Sequence, residues 1–304
     1  MPILENTGAA WGCVAAGLLI HAGRLAAGLK RRGALSARRV WTLLLPAGLG
    51  LLMAWAGFAL LQMDNPYATF RWCYTTGLLG LLLGTFLAAR RCGIKAGEIL
   101  DETAAAACLC MALARLSQRW LGETGIGPLM ETAGLLTMIN DWEEPALATW
   151  ALEAAVCLLA AGGTALWQRR RPRAQGGTCC VAIHLLLVPQ VLVEHFRSGE
   201  YMRFMMMRLE QGLFGLAALG ALIWLCARGR GPGESLLKSY APAGGWLLLA
   251  GVIALAEFLL DGKIMECPAA VSWTMFGGAV AGMIALALYA CRRMDRSTAG
   301  KGNP

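Results

Sequence analysis

The chain has 304 residues, of which 57% are hydrophobic and 15% charged, with 38 Gly, 11 Trp and a mean hydropathy of +0.55. Soluble domains carry closer to ~25% charged residues, so this balance excludes a disordered chain, a coiled coil and an ordinary soluble fold. The net charge of +8 would suit a nucleic-acid binder only if Lys and Arg formed a basic face interleaved with aromatics, and they do not.

The apolar residues come in blocks, and crossing a bilayer takes ~20 such residues in helix. In chain order the predicted spans are 8–29, 38–62, 70–92, 100–118, 145–167, 178–196, 204–228, 243–261 and 268–291. The first has no basic segment before it and no small-residue cleavage site, which reads as a retained helix rather than a signal peptide. Removing the nine spans leaves no soluble domain. The expected fold is therefore an all-α, polytopic integral membrane protein of about nine transmembrane helices.

Lys and Arg alternate between loops in a way that sets orientation. Nineteen of the 27 lie in one set of segments: Lys30 to Arg39, Arg90 to Lys95, Arg169 to Arg173, Arg228 to Lys238, and Arg292 to Lys301. These segments would be cytoplasmic, with the N-terminus outside and the C-terminus inside. The longest connection on the opposite side, about 119–144, holds Glu123, Glu131, Asp141, Glu143 and Glu144 between Trp120 and Trp142. It reads as a small outer head, or as a plain solvated loop.

Charge inside an apolar span is costly and marks a bundle interior, a cavity or a headgroup. Arg115, Gln118, Arg119 and Gly122 share one helical face at the end of the fourth span, and Gln190, Glu194 and Arg197 share one in the sixth. Arg208 and Gln211 stand together at the start of the seventh. Converging arginines would bind an anionic group such as phosphate; alternatively, residues such as Arg119 and Arg203 snorkel to the headgroups. His184 and Glu153 are weaker candidates, suited to satisfying a neighbouring helix. Gly77, Gly80 and Gly84, and the pair Gly278 and Gly282, have the spacing that allows close helix approach. Most Cys lie in apolar blocks, and His21, His184 and His195 are too scattered for zinc, so no metal or cofactor is expected.

The order of these features resembles the prolipoprotein diacylglyceryl transferases, bacterial inner-membrane enzymes with seven transmembrane helices and an outer head. The stretch from Gly77 through Arg90, Arg91 and Asp101 to Arg115-Leu116-Ser117-Gln118-Arg119-Trp120-Leu121-Gly122-Glu123 is similar to a Gly-rich helix, a basic turn and the family motif A-x-G-R-x-G-N-x-x-N-G-E, without a gap from Arg115 to Glu123. Val193-Glu194-His195-Phe196-Arg197 and Glu210-Gln211-Gly212 are similar to V-E-F-F-R and a later S-x-G-Q. The resemblance covers about residues 8–228. It implies a transferase-like core over 1–228 with its head at about 119–144, and two added helices with a basic cytoplasmic tail over 229–304.

What the resemblance implies is transfer of the diacylglyceryl group of phosphatidylglycerol to the lipobox cysteine thiol of an exported preprotein. Arg115, Glu123 and Glu194 would be catalytic, and Gln118, Arg197, Gln190 and Thr75 would line the substrate site. Thr75 stands where the family has a histidine able to take the thiol proton, and Gln190 where it has an arginine; of the family's H-P-S-Q-L-Y-E only Pro145 is left. These replacements also fit a catalytically impaired relative that binds or moves an anionic phospholipid or a lipoprotein partner.

Overall fold

The computed structural model describes residues 6–61, 73–121, 126–140, 143–170, 174–197, 203–204, 207–260 and 268–299. Nine long helices appear among them: α1 Thr7–Arg31, α2 Leu44–Leu61, α3 Tyr74–Arg91, α4 Ala96–Leu116, α5 Thr149–Gln168, α6 Gly177–His195, α7 Leu209–Arg228, α8 Leu236–Leu260 and α9 Ala269–Ala299. Each overlaps one predicted apolar block. Seven are long and apolar enough to cross a membrane, as in a multi-pass membrane protein; α3 and α4 are the two outside that set. Helix α4 carries Glu98, Asp101, Glu102 and Arg115, which lowers its hydropathy, yet it packs at the centre of the bundle against α1, α3, α5 and α6.

Sequential helices run antiparallel, so the bundle has two chemically different ends. At the basic end, Glu102 at the start of α4 binds Arg31 and Arg32 at the end of α1. Asp101 caps α6, its carboxylate accepting from the backbone N–H of Gly176 at 2.7 Å and of Cys179 at 2.8 Å. Those N–H groups are orphans of a helix start, and a carboxylate there also meets the positive end of the helix dipole. At the opposite end Asn6 caps α1, accepting from Ala9 N–H at 3.0 Å, and its own N–H donates to the carbonyl of Trp120.

Helices α2 and α3 meet backbone to backbone. A Cβ on Gly80 would sit 2.3 Å from the Leu49 carbonyl oxygen, and one on Gly84 2.5 Å from that of Leu45. The expected close approach is thus real at these glycines, whereas of the other pair only Gly282 is crowded, by Leu249, and Gly278 has open space. A second apolar core joins α5, α6 and α7 to α8 and α9, with Leu222, Leu225, Trp246, Phe276 and Met294 in its middle.

Three findings depart from the predicted elements. The connection after α4 contains a three-stranded antiparallel sheet, β1 Ile126–Leu129, β2 Thr137–Ile139 and β3 Pro145–Ala148, in the order β1-β3-β2, so residues 145–148 open as strand and α5 starts at Thr149. Prolines hold their preceding residues extended, and Ala146 and Ala148 turn inward in alternation. Gly127 locks this head to the bundle, since a Cβ there would lie 2.7 Å from the Phe196 carbonyl. A short hairpin, β4 Arg203–Phe204 and β5 Met207–Arg208, precedes α7, so that helix begins at 209 instead of 204. Finally, α8 starts at Leu236 and passes through Pro242. The carbonyl of Lys238, which a proline four residues on cannot reach with an N–H, accepts instead from Arg293 Nη1 of α9 at 3.2 Å.

A buried arginine and glutamate cluster as candidate functional site

Four helices bring charge to one point at the end opposite the basic one. Arg115 is the penultimate residue of α4, Glu153 lies in the second turn of α5, Glu194 is penultimate in α6, Arg197 follows that helix, and Glu210 is second in α7. Arg115, Glu153, Glu194 and Arg197 are 1%, 0%, 0% and 6% exposed. Burial of charge at this depth is tolerable only with matched partners.

The partners are shared. Arg115 Nη1 is 3.2 Å from Glu153 Oε2 and its Nη2 3.9 Å from Glu210 Oε1. Arg197 Nη1 lies 3.4 Å from Glu194 Oε1, 3.6 Å from Glu210 Oε2 and 3.8 Å from Glu153 Oε1. Gln118 sits between them, its Nε2 donating to Glu153 Oε2 at 3.1 Å while its Oε1 accepts from Arg197 Nη2 at 2.7 Å and from the Tyr74 hydroxyl at 3.1 Å. The guanidinium of Arg115 stacks over the Tyr74 ring at 4.0 Å, a cation–π contact strengthened by desolvation. Thr75 donates to Glu210 Oε1 at 3.2 Å.

Of the residues expected from sequence, Arg115, Gln118, Glu194, Arg197 and Thr75 therefore meet in one network. Gln190 stands one turn below Glu194 and turns to α5 instead, donating to the Glu153 carbonyl at 3.1 Å and to Cys157 Sγ at 3.3 Å. Glu123 lies outside the described residues. Sequence reasoning gave little weight to Glu153 and none to Glu210 and Tyr74. The available signal was that Glu153 is the sole acidic residue within an otherwise apolar helix, which in a membrane calls for a cationic partner.

The histidines belong to the core. His21 Nε2 pairs with Thr85 Oγ1 at 2.9 Å, and His184 Nδ1 with the Cys180 carbonyl at 2.8 Å. Among the described residues no His, Cys, Asp and Glu side chains group as metal ligands.

Chemically, the cluster offers two guanidinium groups to three carboxylates. Glu210 is the least buried of the three, with 16% of its side chain exposed, so it is the carboxylate that an incoming group meets first. Arg115 Nε is buried with no hydrogen-bond partner among the described residues, which leaves one donor of that guanidinium unused. No protein-family model and no curated protein matches this sequence.

Proposed function

We propose that the protein is a nine-span bacterial inner-membrane transferase that passes the diacylglyceryl group of phosphatidylglycerol to a lipobox cysteine thiol, with the basic end of the bundle cytoplasmic. The observation that carries this reading is the convergence of Arg115 and Arg197, 82 positions apart in the chain, on shared carboxylates at the end opposite the basic loops. Positive loops stay inside, so this end faces outward, where an exported preprotein presents its cysteine.

In the proposed reaction the thiol sulfur forms a bond to the terminal glycerol carbon of the diacylglyceryl group. The bond from that carbon to the phosphate oxygen breaks, and its electron pair leaves with glycerol phosphate. Arg115 and Arg197 hold the phosphate and neutralise the growing charge, an effect that is large where water is excluded. The thiol proton passes to a carboxylate, and Glu210 is the acceptor within reach, since it is the most exposed of the three and hydrogen-bonds Thr75. Glu153 and Glu194 keep the arginines aligned between turnovers.

The test is lipidation of a reporter preprotein in cells depleted of their own transferase. Lipidation is expected with the native chain and a loss of at least a hundredfold with Arg115→Lys, which keeps the charge but removes the planar fork. Absence of lipidation by a membrane-inserted native chain overturns the proposal.

Thr75 and Gln190, which stand where the resembled family has a histidine and an arginine, favour a second reading, in which the cluster binds or moves an anionic phospholipid or binds a lipoprotein partner without turnover. That reading predicts phosphatidylglycerol binding that Arg115→Lys weakens, with no glycerol phosphate released.

A further inference from the structure

The head presents an apolar turn to its surroundings. Residues 126–140 carry one charge, Glu131, and just before β2 the chain places two leucines where turns usually hold Gly, Asn, Asp or Ser. Gly134-Leu135-Leu136-Thr137 closes on itself. The Thr137 N–H donates to the Gly134 carbonyl at 3.3 Å, the Thr137 hydroxyl donates to the same carbonyl at 2.9 Å, and the Gly134 N–H donates to Thr137 Oγ1 at 2.7 Å. These bonds hold the turn in one shape, with its leucines outward. Leu135 is 100% and Leu136 43% exposed, and no described part of the chain covers the tip.

Pairing within the head fixes how far this turn stands from the bundle. The Leu136 carbonyl accepts from the Ala148 N–H at 2.8 Å, and Ala148 is followed directly by α5. From the first turn of that helix the Trp150 indole N–H donates to Met138 Sδ. The leucine turn is therefore level with the start of α5. That helix runs over Thr149–Gln168, about 30 Å at ~1.5 Å per residue, which matches the hydrocarbon thickness of a bilayer. It leaves Leu158, Leu159 and Leu166 exposed on its outer face, so its start marks the hydrocarbon boundary. Lateral position follows from the sheet order β1-β3-β2. Strand β1 is the edge packed through Gly127 against Phe196, and β2 with its leucine turn is the edge away from it.

We propose that the Gly134–Thr137 turn is an interfacial anchor that seats Leu135 and Leu136 in the lipid leaflet on the head's side. Exposed apolar residues held together mark an interaction surface, and at this level the surroundings are the tops of acyl chains. Backbone groups must be satisfied internally to enter that layer, and here they are bonded within the turn and to Ala148. Leu129 stands opposite Ala146, two residues and about 7 Å farther from α5 than the residue opposite Ala148. Glu131 follows it, so the loop keeps its charged part at the end away from the bilayer. The head is then held from two sides, by the bundle at Phe196 and by lipid at the leucine turn. The proposal needs only that the bundle is embedded in a bilayer, and it does not depend on chemistry at the arginine cluster.

The experiment uses the full chain in phosphatidylcholine nanodiscs, with an environment-sensitive fluorescent amino acid in place of Leu135, Leu129 or Glu131, one position per protein. A phospholipid bearing a nitroxide near the top of its acyl chain should quench the probe at 135 about threefold more than at 129, given the ~7 Å offset along the strands. Aqueous iodide should reverse that order and quench best at 131. Preferential iodide quenching at 135 overturns the anchor, and equal lipid quenching at 129 and 135 overturns the orientation of the head. A probe at 135 shielded from both quenchers means that protein covers the turn, which also overturns the proposal. A second measurement needs no fluorophore. Leu135 is fully exposed, so Leu135→Asp breaks no contact within the protein, yet it should speed amide exchange of Thr137–Ile139 in nanodiscs about five- to tenfold, the worth of a leucine partly buried in lipid. Unchanged exchange there overturns the anchoring role.

Discussion

At the scale of single residues the protein concentrates its risk in Arg115, among the largest fully buried side chains. Its neighbours Glu153 and Tyr74 have been moved out of water on its account, so removing it strands a carboxylate in an apolar setting. Breaking a buried pair from one side costs about 3–5 kcal/mol, whereas replacing both partners by apolar groups is often nearly neutral. Arg115→Ala should therefore lower unfolding stability in detergent by about 3–5 kcal/mol, and Arg115→Met with Glu153→Leu should recover at least half of that. A cost below about 1 kcal/mol for Arg115→Ala would show that the cluster is not tightly coupled. This experiment reports on stability alone, so it separates the structural role of the arginine from the role proposed for it in lipid chemistry.

At the scale of elements, helix ends are finished by distant parts of the chain. Helix α6 begins after Gly176, which adopts φ +88°, and its first N–H groups are satisfied from α4 by Asp101. Capping carboxylates are worth about 0.5–2 kcal/mol. Asp101→Ala should cost a similar amount and speed hydrogen exchange in the first turn of α6; unchanged exchange there would remove Asp101 from that role. The start of α8 is finished likewise by α9. Arg293 serves the Lys238 carbonyl freed by Pro242 and pairs with Glu234. Glu234 lies in the loop before α8, and its carboxyl is held below the usual carboxylate range, first by the Gly231 N–H and then by Arg293. Its contribution is accordingly present above the ordinary carboxylate range and lost as pH falls through its own lowered value.

At the scale of the whole molecule, the two ends divide the work. The basic end holds Arg31, Arg32, Glu98 and Glu102 in exposed or half-buried pairs, which are individually weak. The opposite end buries its charges and adds a three-stranded head. Under the proposed topology, with the basic loops inside, a green fluorescent protein fused after residue 304 should fluoresce, and alkaline phosphatase inserted at Gly134, in the exposed connection between β1 and β2, should be active. The reverse pattern at both positions would invert the topology and move the cluster to the cytoplasmic face.

Each long helix among the described residues overlaps an apolar block read from the sequence, and for the seven that are long and apolar enough to cross a membrane the reason is that such a block has few other conformations that satisfy its backbone. Hydropathy misjudged their ends wherever proline or extended pairing intervened: the eighth block begins at 243, yet α8 passes through Pro242 with Arg293 supplying what its ring removes, and Pro145 read as helix while pairing with β2 makes it strand. Spacing along one helix also revealed that Arg115 shares a face with Gln118, and Glu194 with Arg197. That α4 and α6 turn these faces to each other, and that Glu153 and Glu210 complete the cluster from α5 and α7, depends on how these four helices rotate and pack. A charge in an apolar span announces that it needs a partner, but which partner is a matter of helix adjacency, and only the tertiary structure decides it.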